Sequence, residues 1–187
     1  NNIRNILIGG FVFVTILAIF ILRNLQRNKR TSKIITNQKI ELEEKQKEIL
    51  DSINYAKRIQ YTLLAHEEVL KYNLPEHFIF FNPKDIVSGD FYWAIKHNTK
   101  FYLAICDSTG HGVPGAFMSL LNIGFLTEAI AEKGIEKPNE IFNYVRQKLI
   151  TTISKDGQQD GFDGVLLCID EVSQSVSYAA AHNAPIL

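Results

Sequence analysis

The distribution of apolar and polar positions divides the chain into three stretches. Residues 6–22 are almost continuously apolar, interrupted only by Gly9, Gly10 and Thr15. Residues 31–64 are polar and charged, yet an apolar side chain returns every seventh position, at Ile35, Leu42, Ile49, Ala56 and Leu63. Beyond residue 73, short apolar runs alternate with turn residues and with two longer segments of helical periodicity.

The first stretch has a length at the lower edge of the roughly 17 to 25 residues that cross a bilayer. Arg23, Arg27, Lys29 and Arg30 crowd its C-terminal side, against Arg4 alone before it. By the positive-inside rule this predicts a single-pass transmembrane helix over 6–22, with the rest of the chain in the cytoplasm beneath the inner membrane. A signal peptide is the alternative, but a leading Met, a preceding basic region and a small-residue cleavage site are missing. A buried core helix fits poorly with so dense a basic flank. The start at Asn1, without Met, reads as the downstream part of a larger protein, with 1–5 the end of an upstream region.

The seven-residue recurrence predicts a helical linker over about 23–72. Ile53 adds part of a second seam, whereas Lys39, Gln46 and Gln60 dilute it. A weak parallel coiled-coil homodimer and a merely solvated amphipathic helix both fit this pattern. The run E-L-E-E-K-Q-K-E supplies i, i+4 charge pairs for a soluble face.

Asn73-Leu74-Pro75 breaks the helix and opens a domain over 73–187. Strands are expected at 77–81, 91–96, 101–106, 164–169 and 176–180, and helices at about 114–132 and 138–152. Phe117, Leu120, Leu121, Phe125 and Ile130 are expected core positions. Strands on either side of a helical pair, joined by hairpin-like connections, give an α+β class with antiparallel sheets.

Candidate chemistry begins at Asp107, where the apolar run 101–106 ends and D-S-T-G-H-G-V-P-G follows. Strand, tight turn and helix in that order present a carboxylate at a strand end. Glycines there let the backbone fold back far enough to bring carbonyl oxygens beside it. Such oxygens suit hard cations such as Mg²⁺ or Mn²⁺. Upstream, N-P-K-D-I-V-S-G-D-F-Y-W places Asp90 at a second junction of loop and strand. With H-N-T-K as the turn between two adjacent antiparallel strands, Asp90 and Asp107 converge on one site.

Net charge is zero, with 20 residues of each sign, so nothing marks the chain as a nucleic-acid binder. Cys106 and Cys168 sit in apolar runs, where buried free thiols and a reducing compartment are expected. No C-x-x-C or H-E-x-x-H pattern supports a soft-metal site.

Taken together, S-G-D-F-Y-W and D-S-T-G-H-G, followed by A-H-N-A-P at 181–185, resemble the SpoIIE-type serine/threonine phosphatases of the protein phosphatase 2C-like superfamily. The family pattern is G-G-D-F-Y/W, so Ser88 is a mild departure, as is Ala181 in place of a glycine in A-G-H-N-P-P. The resemblance covers roughly 53–187. It implies an α-β-β-α sandwich and a pair of Mg²⁺ or Mn²⁺ ions activating water against phosphoserine or phosphothreonine of a cytoplasmic regulatory protein. It further implies Asp107 as bridging ligand, the Ser108 backbone carbonyl completing one ion's shell, and Asp90 binding through or orienting coordinated water. His111 is a proton donor, a group behind the ligands, or a turn histidine packed on its loop. Asp160 and Asp163, in D-G-F-D-G, are candidates for a third ion or form a plain Asp-Gly turn. Asn183 and Pro185 read as turn formers first. The family continues through a D-G motif and a final D-D or D-N motif carrying further aspartates, so the chain is expected to be C-terminally incomplete. A catalytically silent, partner-recruiting module of the same fold is the competing expectation. A nucleotide cyclase of similar layout lacks support, because S-G-D-F-Y-W has no Glu where G-G-D-E-F requires one.

Overall fold

The computed structural model describes residues 2–153, 160–183 and 185. Ala184 of the closing A-H-N-A-P segment lies outside the described residues. Contacts divide the chain into two units, 1–50 and 51–187.

Helix α1 runs Asn2–Leu63 without interruption, so the apolar stretch and the heptad stretch are one helix. Between residues 7 and 50 every side chain is exposed, including Phe11, Phe13, Ile16 and Phe20. An 18-residue window near its N-terminus is long and apolar enough to cross a membrane. A second such window, in residues 112–132, is half buried in the core of the other unit and is accounted for by packing.

The unit from Asp51 onward contains the end of α1, a short α2 (Glu67–Asn73), β1 (Asp90–His97), β2 (Lys100–Ser108), α3 (Gly112–Thr127), a π-helical turn (Glu128–Glu132), α4 (Pro138–Thr152), β3 (Phe162–Asp170) and β4 (Ser175–Ala181). Among the described residues four strands form one antiparallel sheet in the order β1-β2-β3-β4. The β1–β2 hairpin turns at Asn98, whose left-handed φ of 54° suits an Asn side chain. Pro138 opens α4, where its missing N–H costs no intrahelical bond.

Alternation along the strands builds the core. Phe91 and Trp93 of β1, Tyr102, Ala104 and Cys106 of β2, and Leu166 and Cys168 of β3 are buried on one face. They pack against Met118, Ile123 and Leu126 of α3, Ile130, and Ile141, Val145 and Leu149 of α4. On the opposite face Phe101 is covered by Leu70 of α2 and by Ala65, while Ile105 is 60% exposed. The α+β class therefore holds, with one helical layer against one antiparallel sheet. Both cysteines are free and buried, as expected, and burial pushes both thiols above their ordinary range.

Two sequence expectations are corrected. The strand expected at 77–81 does not form: the segment is irregular, with Phe78 and Phe80 largely exposed. Its apolar alternation marks contact with a sheet face instead, since Phe81 packs edge-on against Tyr92 with ring centroids 5.5 Å apart. Phe117 and Leu121 are exposed, so they are not core. The buried face of α3 is Gly115, Ala116, Met118, Ser119, Asn122, Ile123 and Leu126, a set of mostly small or polar residues that brings the helix close to the sheet.

Candidate metal centre

The β1–β2 register sets Asp90 directly opposite Asp107, and the β2–β3 register sets Asp107 opposite Asp163. Residues opposed in antiparallel strands project from the same face, so the three aspartates form a row across one end of the sheet. Asp90 and Asp107 touch. Partial burial, then a hydrogen bond to Asp107 and its negative charge, raise the Asp90 carboxyl above the ordinary carboxylate range. A pair in that state takes up a proton or a cation. Asp163 is in register but does not complete a cluster: among the described residues, no three His, Cys, Asp or Glu side chains converge closely enough to hold a metal ion.

The turn after Asp107 is fixed from several sides. The Ser108 N–H donates to the Gly89 carbonyl at 3.3 Å. The Thr109 N–H and hydroxyl both reach the Gly161 carbonyl, at 3.0 and 3.1 Å, and the Gly161 N–H donates back to Thr109 Oγ1 at 3.0 Å. That clamp ties the Asp107 turn to the segment carrying Asp160 and Asp163. Gly89 is packed so that a Cβ there would lie 2.8 Å from the Ser108 carbonyl oxygen and 2.5 Å from that of Gly110. A Cβ on Gly115 would come within 2.4 Å of the same Gly110 oxygen. Two carbonyl oxygens thus gather in the space that the missing side chain of Gly89 leaves open, near Gly115 of α3. Carboxylates are donors of the class that Mg²⁺ and Mn²⁺ prefer, and the raised proton affinity of Asp90 fits a site completed by positive charge.

His111 caps the start of α3 as an exposed side chain, its Nδ1 3.2 Å from Asp85 Oδ2. A carboxylate only accepts, so His111 donates from Nδ1. It is tied to Asp85 rather than packed on its loop. Asp107, His111, Asp160 and Asp163 line one open cleft of about 1340 Å³, with Asn139, Asn143 and Arg146 of α4 on its wall. Asp90 lies instead in a smaller groove of about 490 Å³ with Asp107, Phe78, Tyr92 and Asn183. Asp107 is shared by both. Asn183 closes a tight turn, its N–H 2.7 Å from the Ala181 carbonyl, after His182 with a left-handed φ of 58°.

Beneath the carboxylates lies a buried polar layer: Gln60, Ser88, Ser108, Ser119 and Asn122. Gln60 Nε2 donates to the Ser88 carbonyl at 2.6 Å and to Ser119 Oγ at 2.8 Å, and its Oε1 accepts the Ser88 N–H at 3.1 Å. Ser88 Oγ in turn accepts the Asp90 N–H at 3.0 Å. Asn122 Nδ2 donates to Ser108 Oγ at 3.0 Å. The motifs did not reveal Gln60, Asp85, Asn122, Thr109 or Arg146. The available signal was a polar residue at a buried helical position, visible for Asn122 between Leu121 and Ile123 and for Gln60 in the diluted seam.

Comparison with known proteins bears on the family and the fold. Residues 97–187 match the family described as Stage II sporulation protein E (SpoIIE). Among solved structures, the SiaA-PP2C domain of Pseudomonas aeruginosa superposes with a TM-score of 0.62 at 32% identity, covering 71% of this chain and 53% of that one. No curated protein matches significantly. The fold is that of a PP2C-type phosphatase domain. Over residues 97–187 the chain is similar to the SpoIIE type, and it spans about half the length of the solved relative.

Proposed function

We propose that the chain is the membrane-tethered part of a signalling phosphatase that hydrolyses phosphoserine or phosphothreonine in a cytoplasmic regulatory protein. The observation that carries this reading is the contact between Asp90 and Asp107, aligned across the β1–β2 ladder at the end of the sheet. Asp90, Asp107 and the Ser108 carbonyl are the groups that would hold Mg²⁺ or Mn²⁺. When bound, the ions supply charge neutralisation at the phosphoryl group and acidify water at neutral pH.

The chain's own residues account for the rest. The Thr109–Gly161 clamp and the Ser108–Gly89 bond hold the Asp107 turn, so its carboxylate meets substrate in a fixed orientation. His111, with Nδ1 tied to Asp85, would return a proton to the departing serine or threonine oxygen. Arg146 lines the cleft, where its guanidinium would complement a phosphoryl dianion. The apolar window of α1 anchors the unit to the inner membrane. Ile35, Leu42 and Ile49, all exposed, supply the seam for a parallel pair.

The test is release of phosphate from a phosphoserine peptide by the protein containing this chain, with Mn²⁺ and with excess chelator. Turnover that requires Mn²⁺ and disappears in Asp107→Asn supports the reading; turnover undiminished in chelator refutes it. A fold that binds the phosphopeptide without turning it over under any metal would favour the silent module.

A further inference from the structure

Asn122 is fully buried in α3, in the layer between helix and sheet. Its Nδ2 donates to Ser108 Oγ, but its Oδ1 has no hydrogen-bond partner among the described residues. A buried amide oxygen without a donor weakens the fold, and an apolar residue of similar shape would pack there without that penalty. The bond to Ser108 is what this side chain contributes in return. Ser108 is itself buried, and it joins the Asp107 carboxylate to the turn through Gly110. Its backbone is held by Gly89 and its hydroxyl by Asn122, so the peptide between Asp107 and Ser108 is fixed from both sides.

We infer that Asn122 is a positioning residue for the cation site. Through Ser108 Oγ it sets the orientation of the Asp107 carboxylate and of the Ser108 carbonyl, without itself approaching a cation. This rests on the reading that Asp90 and Asp107 hold Mg²⁺ or Mn²⁺. It assigns part of the core of α3 to ligand geometry at the expense of stability.

The experiment uses the full chain in detergent with Asn122→Leu, Ser108→Ala and the double variant. Mn²⁺ affinity is read by electron paramagnetic resonance, and thermal midpoint is measured without metal. Leu at position 122 should weaken Mn²⁺ binding about tenfold or more, the range seen when groups behind metal ligands are removed. The double variant, which leaves no orphaned hydroxyl at 108, should have a midpoint level with the parent or higher, a split that a purely structural residue would not give. Ser108→Ala should weaken Mn²⁺ similarly, and the double variant should be no weaker than either single one, because both remove the same bond. An Asn122→Leu protein that binds Mn²⁺ like the parent, or losses that add in the double variant, would overturn the inference. Should the Leu variant not fold, Asn122→Ser takes its place in the same cycle. If the parent chain binds no Mn²⁺, the carboxylate-pair reading fails. The inference is overturned with it, whereas a parent that binds Mn²⁺ and an Asn122→Leu protein that binds it equally well overturn the inference alone.

Discussion

Gln60 at the end of α1 and Ser88 before β1 hold each other by two hydrogen bonds running in opposite directions, at 2.6 and 3.1 Å. The side-chain amide of Gln60 thereby replaces a backbone partner for a buried peptide. Two residues on, Asp90 donates its N–H to Ser88 Oγ. The helix that begins in the apolar stretch is thus bonded, through one side chain, to the strand start that carries a candidate ligand.

Replacing Gln60 by Leu should therefore do two things. It orphans the Ser88 N–H and carbonyl, each at a cost of about 1–3 kcal/mol, and it frees the Asp90 backbone to shift. The expected result is a lower thermal midpoint together with weaker Mn²⁺ binding, measured on one preparation. A midpoint that falls while Mn²⁺ affinity stays constant would show that Gln60 supports the fold alone.

Asp90 gives a pH prediction with a definite sign. Its folded-state carboxyl titrates above its unfolded value, because burial and Asp107 oppose its charge. Below the unfolded value the group is protonated in both states and adds no penalty. As pH rises through the window between the two values, the folded protein holds the proton longer and stability falls. In chelator, Asp90→Asn should therefore melt higher than the parent at neutral pH, with the gap growing from about pH 4 upward. Added Mn²⁺ should reverse the order. A variant melting at or below the parent at pH 7 in chelator would contradict the placement of the two carboxylates.

The parts of this fold that were legible in sequence are those written in local pattern. Alternation gave β1 to β4, Pro138 marked the start of α4, and the two carboxylate motifs gave a hairpin whose register sets Asp90 against Asp107. The buried polar layer was not legible, since Gln60 meets Ser88 across 28 positions and Ser119 across 59, contacts that no local pattern encodes. Helix α3 misled for a related reason. Its large residues Phe117 and Leu121 suggested a core face, whereas Gly115, Ser119 and Asn122 are what the sheet end accepts at close range. The segment 77–81 alternates like a strand but lies beside Tyr92 without joining the ladder.

The exposed seam of α1 is tested by cross-linking. Cysteine at position 42, and separately at 49, should form disulfides between chains in membranes under mild oxidation, since both positions fall on the seven-residue repeat. Cysteine at position 44, on the opposite side of the helix, should cross-link far less. Equal yields at 42 and 44 would remove the argument for a parallel pair.

The central claim is that Asp90 and Asp107 form one cation site, and direct Mn²⁺ binding tests it with no reliance on turnover. Electron paramagnetic resonance of the chain titrated with Mn²⁺ should show bound metal that is lost in Asp107→Asn and weakened at least about tenfold in Asp90→Asn. Asp163→Asn, in register but outside the touching pair, should lose less. Mn²⁺ binding that is the same in the parent and in Asp107→Asn would contradict the account.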